Sequence, residues 1–157
     1  MARVVLFAPQ IPPNTGNVAR TCAATGWELH LIEPLGFSLS DRHLRRAGLD
    51  YWPLVRLSQH PDVASFLEHR QRQGGRLLAL SSQATTPYTA VRYDPSDWLL
   101  FGRESDGLSE ELLAAADHRL TIPMPCSRHS VPGGVRSLNL SVAVGVVVFE
   151  ALRQEAL

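Results

Sequence analysis

Residues 3–20 read RVVLFAPQIPPNTGNVAR, and their order carries the fold. The opening RVVLFA (3–8) is a short apolar run with paired valines, the mark of a buried strand. Pro9, Pro12 and Pro13 then restrict a loop, and Asn14 or Thr15 is placed to cap a helix that ends near Gly26. Strand, loop and helix in this order make half of a βαβ unit. The alternation continues outward, with further strands expected at 28–32, 54–57, 76–82, 97–101 and 119–124. Between them fall a helix capped by Ser40 that stops at Gly48, one opening at Pro61, one capped by Ser109, and a last over 138–154. Six short strands alternating with helices predict an α/β domain on a parallel sheet.

The 157 residues, 45% hydrophobic and 19% charged, suffice for one domain spanning 1–157 that buries its own core. Fifteen cations balance fifteen acids, so no global charge points to nucleic acid or membrane. Every cation is arginine, which excludes a Walker lysine, a Schiff-base lysine and a lysine general base. Cys22 and Cys126 stand far apart with no CxxC; no metal site or disulfide scaffold is expected, and a reducing, cytoplasmic compartment fits. The longest apolar stretch, Val142 to Phe149, is well short of the roughly 18 residues of a membrane span.

Charge is nonetheless uneven. Residues 42–76 hold seven arginines against Asp50, Asp62 and Glu68, while 94–117 hold seven acids against Arg103 alone. Three segments carry candidate chemistry. PQIPPNTGNVAR (9–20) ends on a helix N-terminus with free N–H groups, and Arg20 lies about a turn and a half along it. FGRESDGLS (101–109) spaces Gly102 and Gly107 as a phosphate loop does, but Leu108 stands where its lysine belongs, which disfavours triphosphate hydrolysis. TIPM (121–124) leads through the Gly- and Pro-rich CSRHSVPGGVR (126–136) to Ser137 and Asn139 at the start of the last helix. In open parallel sheets ligands sit outside the carboxyl ends of strands, where this last loop begins.

Jointly and in this order, IPPNTGNVARTCAATG, IEPLGF with LRRAGLDYW after it, LLFGRESDGL, and TIPM with SLNLSVAVGVVVFEALRQ resemble the SPOUT class of RNA 2′-O-methyltransferases, and within it the small TrmL-type enzymes of the tRNA wobble nucleotide. The resemblance spans nearly the whole chain. With the residue pattern it implies a parallel six-stranded sheet with helices on both faces and a C-terminal deep trefoil knot, in an obligate homodimer. It implies S-adenosyl-L-methionine as cofactor, held by backbone groups at Leu80, Gly102, Ile122, Met124, Ser137 and Leu138. It implies transfer to the 2′-hydroxyl of nucleotide 34, cytidine or uridine, in the tRNA anticodon stem-loop, with Arg20 as the catalytic arginine and Asn14, Glu104 and Asn139 as its polar shell. Guanidinium stays protonated up to about pH 12, so Arg20 is expected to stabilise a developing alkoxide or fix a phosphate, oriented by Glu104, rather than act as base.

A neutral enzyme must grip RNA locally, and Arg42, Arg45 and Arg46, then Arg128 and Arg136, are the expected contacts; an ordinary Arg46–Asp50 helix pair is the competing account. Two departures stand out: CSRHSVPGGVR looks like an insertion beside the cofactor, and Val142 follows Ser141 where such sequences commonly carry Asn. The rival readings are methylation at another tRNA or rRNA position, a non-catalytic RNA-binding dimer of the same fold, and a flavodoxin-like nucleotide-binding domain.

Overall fold

A computed structural model of the chain describes residues 2–48, 51–127 and 131–156. One parallel sheet holds β1 (Arg3–Phe7), β2 (Glu28–Ile32), β3 (Arg56–His60), β4 (Leu77–Leu80), β5 (Thr86–Pro87), β6 (Trp98–Phe101) and β7 (His118–Thr121), in the spatial order β3-β2-β1-β6-β4-β7-β5. The sheet thus has seven strands, not the six expected. The addition, β5, is two residues at the edge ending in proline, too short to leave a period in the sequence and of the composition edges tolerate. β3 also lies further on than 54–57, because Pro53 turns residues 52–54 into a 3-10 turn.

Side chains alternate between two cores, as the pleat requires. Val4, Leu6, Leu29, Leu31, Leu78, Leu99 and Phe101 share one core with Val18, Ala19 and Cys22 of helix α1 (Pro12–Thr25) and Val144, Val147, Val148 and Ala151 of helix α5 (Leu140–Glu155). Val5, Ile32, Leu77, Ala79, Trp98 and Leu100 share the other with Phe66 of helix α3 (Val63–Gln73) and Leu112 of helix α4 (Glu110–Ala115). Helices therefore cover both faces. Helix α2 (Arg42–Gly48) packs on α1. Among the described residues no helix is long and apolar enough to cross a membrane.

The helix starts differ from the sequence reading at α1, α2 and α3. Pro12 and Pro13 occupy the first positions of α1, where a missing N–H costs nothing, so Asn14 and Thr15 are buried in its first turn instead of capping it. Asp41 rather than Ser40 accepts from the N–H groups of His43 (2.8 Å) and Leu44 (3.4 Å). Asp62 caps α3 through the Ser65 N–H at 2.7 Å, leaving Pro61 just outside. Ser109 caps α4 as expected. The apolar stripe of α5 divides: Val144, Val147, Val148 and Ala151 face the core, whereas Val142 and Phe149 are 50% and 57% exposed.

Candidate active site

A cleft of about 650 Å³ opens where β4, β6 and β7 end, within the range of small-molecule sites. Its walls are the strand ends at Leu80, Phe101 and Thr121 and the loops that follow them, closed by residues 136–140 before α5 and by Ile11 and Asn14 at the start of α1. Each wall is fixed by its own chain geometry.

After β6 the chain folds back on itself: the Arg103 N–H donates to the Gly107 carbonyl and the Gly107 N–H to the Arg103 carbonyl, both at 3.0 Å. Gly107 reverses the chain at φ +77°. Gly102 lies so close beneath the crossing that a Cβ there would meet the Gly107 carbonyl carbon at 2.4 Å and the Leu108 nitrogen at 2.6 Å. The Arg103 Nε donates to Asp106 Oδ1 at 2.6 Å, and this bonding raises the guanidinium pKa and lowers the carboxyl's.

This loop is locked to the chain leaving β1. Glu104 accepts from the backbone N–H groups of Gln10 (2.8 Å) and Ile11 (3.4 Å), just ahead of α1, where a carboxylate also meets the positive end of the helix dipole. Gln10 returns the bond, its Oε1 accepting from the Ser105 N–H at 3.1 Å. Ala8, just before, takes a left-handed φ of 44°, an uncommon conformation for a residue with a Cβ, where the chain leaves the sheet.

Asn139 bridges the remaining wall. Its Oδ1 accepts from the Ser141 N–H at 2.9 Å, capping α5, and its Nδ2 donates to Asn14 Oδ1 at 3.0 Å, joining α5 to α1. Arg136 donates from Nη1 to the Ser105 carbonyl at 2.6 Å, bringing the end of the 126–136 loop onto the 103–107 loop. Within that loop Gly134 passes so near Cys126 and Ser127 that a Cβ would meet their backbone at 2.5 Å.

All six positions expected to hold a cofactor, Leu80, Gly102, Ile122, Met124, Ser137 and Leu138, line this one cleft, with Glu104, Asn139, Asn14 and Arg136. Arg20 does not. It is exposed on α1, with Nη2 donating to the Tyr51 hydroxyl at 3.4 Å and its guanidinium 4.8 Å from the Tyr51 ring centre. Within one chain the Glu104 oxygens are engaged by the N–H groups of Gln10 and Ile11, and Arg20 by Tyr51. Arg42 and Arg46 are exposed on α2. Arg128, Asp50 and the side chain of Arg45 lie outside the described residues. Sequence reasoning missed the 81–83 segment in the walls and the bracing of the 103–107 loop by Gln10; Gln10 stood in a quoted motif, but nothing local to it announces a partner at residue 105.

A parallel α/β sheet with a cleft at its carboxyl edge, walled by the strand ends and the loops that follow them, is the architecture of a cofactor-binding enzyme of the open-sheet kind. Residues 1–149 match the SpoU rRNA Methylase family, and the chain belongs to it. The tRNA (cytidine(34)-2'-O)-methyltransferase of Escherichia coli strain K12 is 48% identical over 156 residues, covering 98% of this chain and 94% of that one. A solved structure described as giving structural insights into the 2-OH methylation of C/U34 on tRNA has a TM-score of 0.90 at 53% identity, over 99% of this chain and 97% of its own. An AdoMet-bound rRNA methyltransferase from Sinorhizobium meliloti has a TM-score of 0.85 at 25% identity, over 97% of this chain and 56% of its own.

Proposed function

We propose that the protein transfers a methyl group from S-adenosyl-L-methionine to the ribose 2′-hydroxyl of nucleotide 34, cytidine or uridine, of tRNA, acting in the cytoplasm as a homodimer on the anticodon stem-loop. The observation that carries this reading is the convergence of Leu80, Gly102, Ile122, Met124, Ser137 and Leu138 on one cleft. The residues present suit the cofactor: Leu80, Ile122, Leu138 and Leu140 offer apolar surface to a purine, and the close-packed Gly102 lets backbone, not side chain, form the wall. When bound, the cofactor supplies an electrophilic methyl group.

The chain's own residues do the rest. The Glu104–Gln10 lock and the Arg103–Gly107 bonds hold the walls rigid, so that a hydroxyl and the methyl are presented in line without a reorganisation cost at the moment of transfer. Asn139 and Asn14 fix each other across the mouth and leave amide groups for a ribose. Arg20, always cationic, stabilises the oxygen as its proton leaves. Its position outside the cleft of its own subunit, together with the exposure of Val142 and Phe149 on α5, supports a site completed across a two-fold interface. A deep trefoil knot, with the C-terminal part of the chain threaded through a loop, belongs to the same proposal, and the Arg136–Ser105 bond, which holds the approach to α5 against the 103–107 loop, supports it.

The test is incubation with labelled cofactor and total tRNA, followed by mapping of 2′-O-methyl sites. Modification at nucleotide 34 is the expected result. Label at another position makes the protein a methylase of different specificity, and RNA binding with no label makes it a non-catalytic dimer.

A further inference from the structure

Three histidines that do not line the cleft come together on the face of the sheet covered by α3. His30 in β2 and His60 at the end of β3 are buried, 1% and 7% exposed, and His69 stands half-buried on α3 above them. Their ring nitrogens lie within 4.8 Å of one another. The His30 and His60 rings are stacked, 14° apart in plane, and His69 tilts over both at ring-centre distances of 5.7 and 5.0 Å. Methyl transfer as derived above uses none of them.

The hydrogen bonds set which nitrogens face inward. His30 Nε2 lies 3.1 Å from Glu28 Oε2, so that nitrogen carries the proton and donates it to the carboxylate. Its Nδ1 lone pair then points into the cluster, 3.0 Å from His60 Nε2. A carboxylate behind an imidazole whose other nitrogen faces a shared space is the outer-shell arrangement that orients metal-binding histidines and raises their basicity. Among the described residues no hydrogen-bond partner is recorded for His69, which leaves a half-buried imidazole with both nitrogens to engage.

We propose that His30, His60 and His69 form a three-imidazole site for a divalent transition-metal ion, zinc in the first instance, that ties β2, β3 and α3 together. Three imidazoles and an open fourth position make a tetrahedral zinc site. Zn–N bonds of 2.0–2.1 Å place tetrahedral nitrogens about 3.3 Å apart. The His30–His60 pair therefore parts by a few tenths of an ångström, and His69, on the half-exposed outer side, closes inward. In the metal-free cluster His60 Nε2 donates to the His30 Nδ1 lone pair, so the His60 proton shifts to Nδ1 when Nε2 takes the ion, a change of tautomer with no net deprotonation of these rings. Arg3, 3.5 Å from Glu28, is the nearby cation that opposes the ion, and Glu28 stands between them. The exposed side of His69 leaves the fourth position to water or a small anion.

The test uses the full chain, purified without a polyhistidine tag, stripped with chelator and titrated with zinc chloride by calorimetry, with the melting temperature followed in parallel. One ion per chain and a rising melting temperature are expected. His69→Gln, at the half-buried position, should weaken zinc binding at least about tenfold, and Glu28→Gln by about tenfold to a hundredfold, the usual effect of removing an outer-shell partner. His118→Gln, exposed on β7, should bind as the wild type does. X-ray absorption on the zinc-loaded wild type should count three imidazole nitrogens, which decides the matter even if a variant fails to fold. Absence of saturable binding at micromolar zinc, or unchanged affinity in His69→Gln, would overturn the proposal and leave the cluster a stacked, hydrogen-bonded part of the core.

Discussion

Replacing Gly102 by alanine tests the cleft at its tightest point. The added Cβ would stand 2.4 Å from the Gly107 carbonyl carbon, 2.6 Å from its Cα and 2.6 Å from the Leu108 nitrogen, all backbone atoms with no rotamer to change. Carbon atoms settle about 3.5–4.0 Å apart, so the returning strand of the loop must retreat by about 1 Å. That retreat breaks the two Arg103–Gly107 hydrogen bonds, each contributing about 0.5–1.5 kcal/mol net. Overpacking adds about 1–3 kcal/mol, and partial relaxation brings the total to about 3 kcal/mol. For a domain of this size 1 kcal/mol moves the melting temperature by about 2–4 °C, so calorimetry should record a fall of about 6–12 °C. The same displacement moves a wall of the cleft proposed for the cofactor, and S-adenosylhomocysteine should bind at least about tenfold more weakly, a loss of about 1.4 kcal/mol. Gly107→Ala is the contrast: nothing lies within 4 Å of its Cβ position, so only the left-handed φ costs, about 1–2 kcal/mol. Wild-type melting and wild-type affinity in Gly102→Ala would refute the crossing geometry on which the cleft depends.

Arg20→Ala should bind cofactor normally, because Arg20 lies outside the cleft, and lose turnover by at least about a hundredfold; unchanged rates would remove it from the chemistry. Phe149→Glu, at a residue 57% exposed, should leave the fold intact and convert a dimer to monomers in sedimentation, whereas a persistent dimer would move the interface off this face of α5. Replacing Arg42 and Arg46 by alanine should weaken tRNA binding and flatten the slope of log affinity against log salt by up to about one unit each, with cofactor affinity unchanged; an unaltered slope would take α2 off the RNA. Cys22, whose thiol burial pushes up to about 12, should resist alkylation in the native protein while exposed Cys126 reacts, and equal labelling of both would contradict the packing of α1.

Legibility in the sequence followed burial. β1, β2 and β6 lie inside the sheet and write themselves as apolar runs; β3, with the sequence RLSQH and largely exposed, gives no such signal, and β5 is shorter than any period. The turn over 102–107 was legible because Gly102 and Gly107 answer to local geometry, while its expected part in holding a cofactor came from the resemblance. The partners of Glu104 were not, since Gln10 and Ile11 reach it only because β1 lies beside β6. The histidine cluster is the extreme case: His30, His60 and His69 share no local spacing, and only the pairing of β2 with β3 under α3 assembles them.

The strand order has a consequence for how the chain is made. Arg3 of β1 pairs with Glu28 of β2 on one side and with Trp98 of β6 on the other. During synthesis the first side closes almost at once, while the second waits for β6 to be translated, roughly 5–20 s later at ordinary elongation rates. Through that interval β1 presents an open, apolar edge, the geometry that pairs with foreign strands. The contacts that finally cover it are among the most distant in the sequence, and such contacts form slowly. The vulnerable period of this protein is therefore its birth, when half a sheet must stay soluble until the residues that close the cleft arrive to complete it.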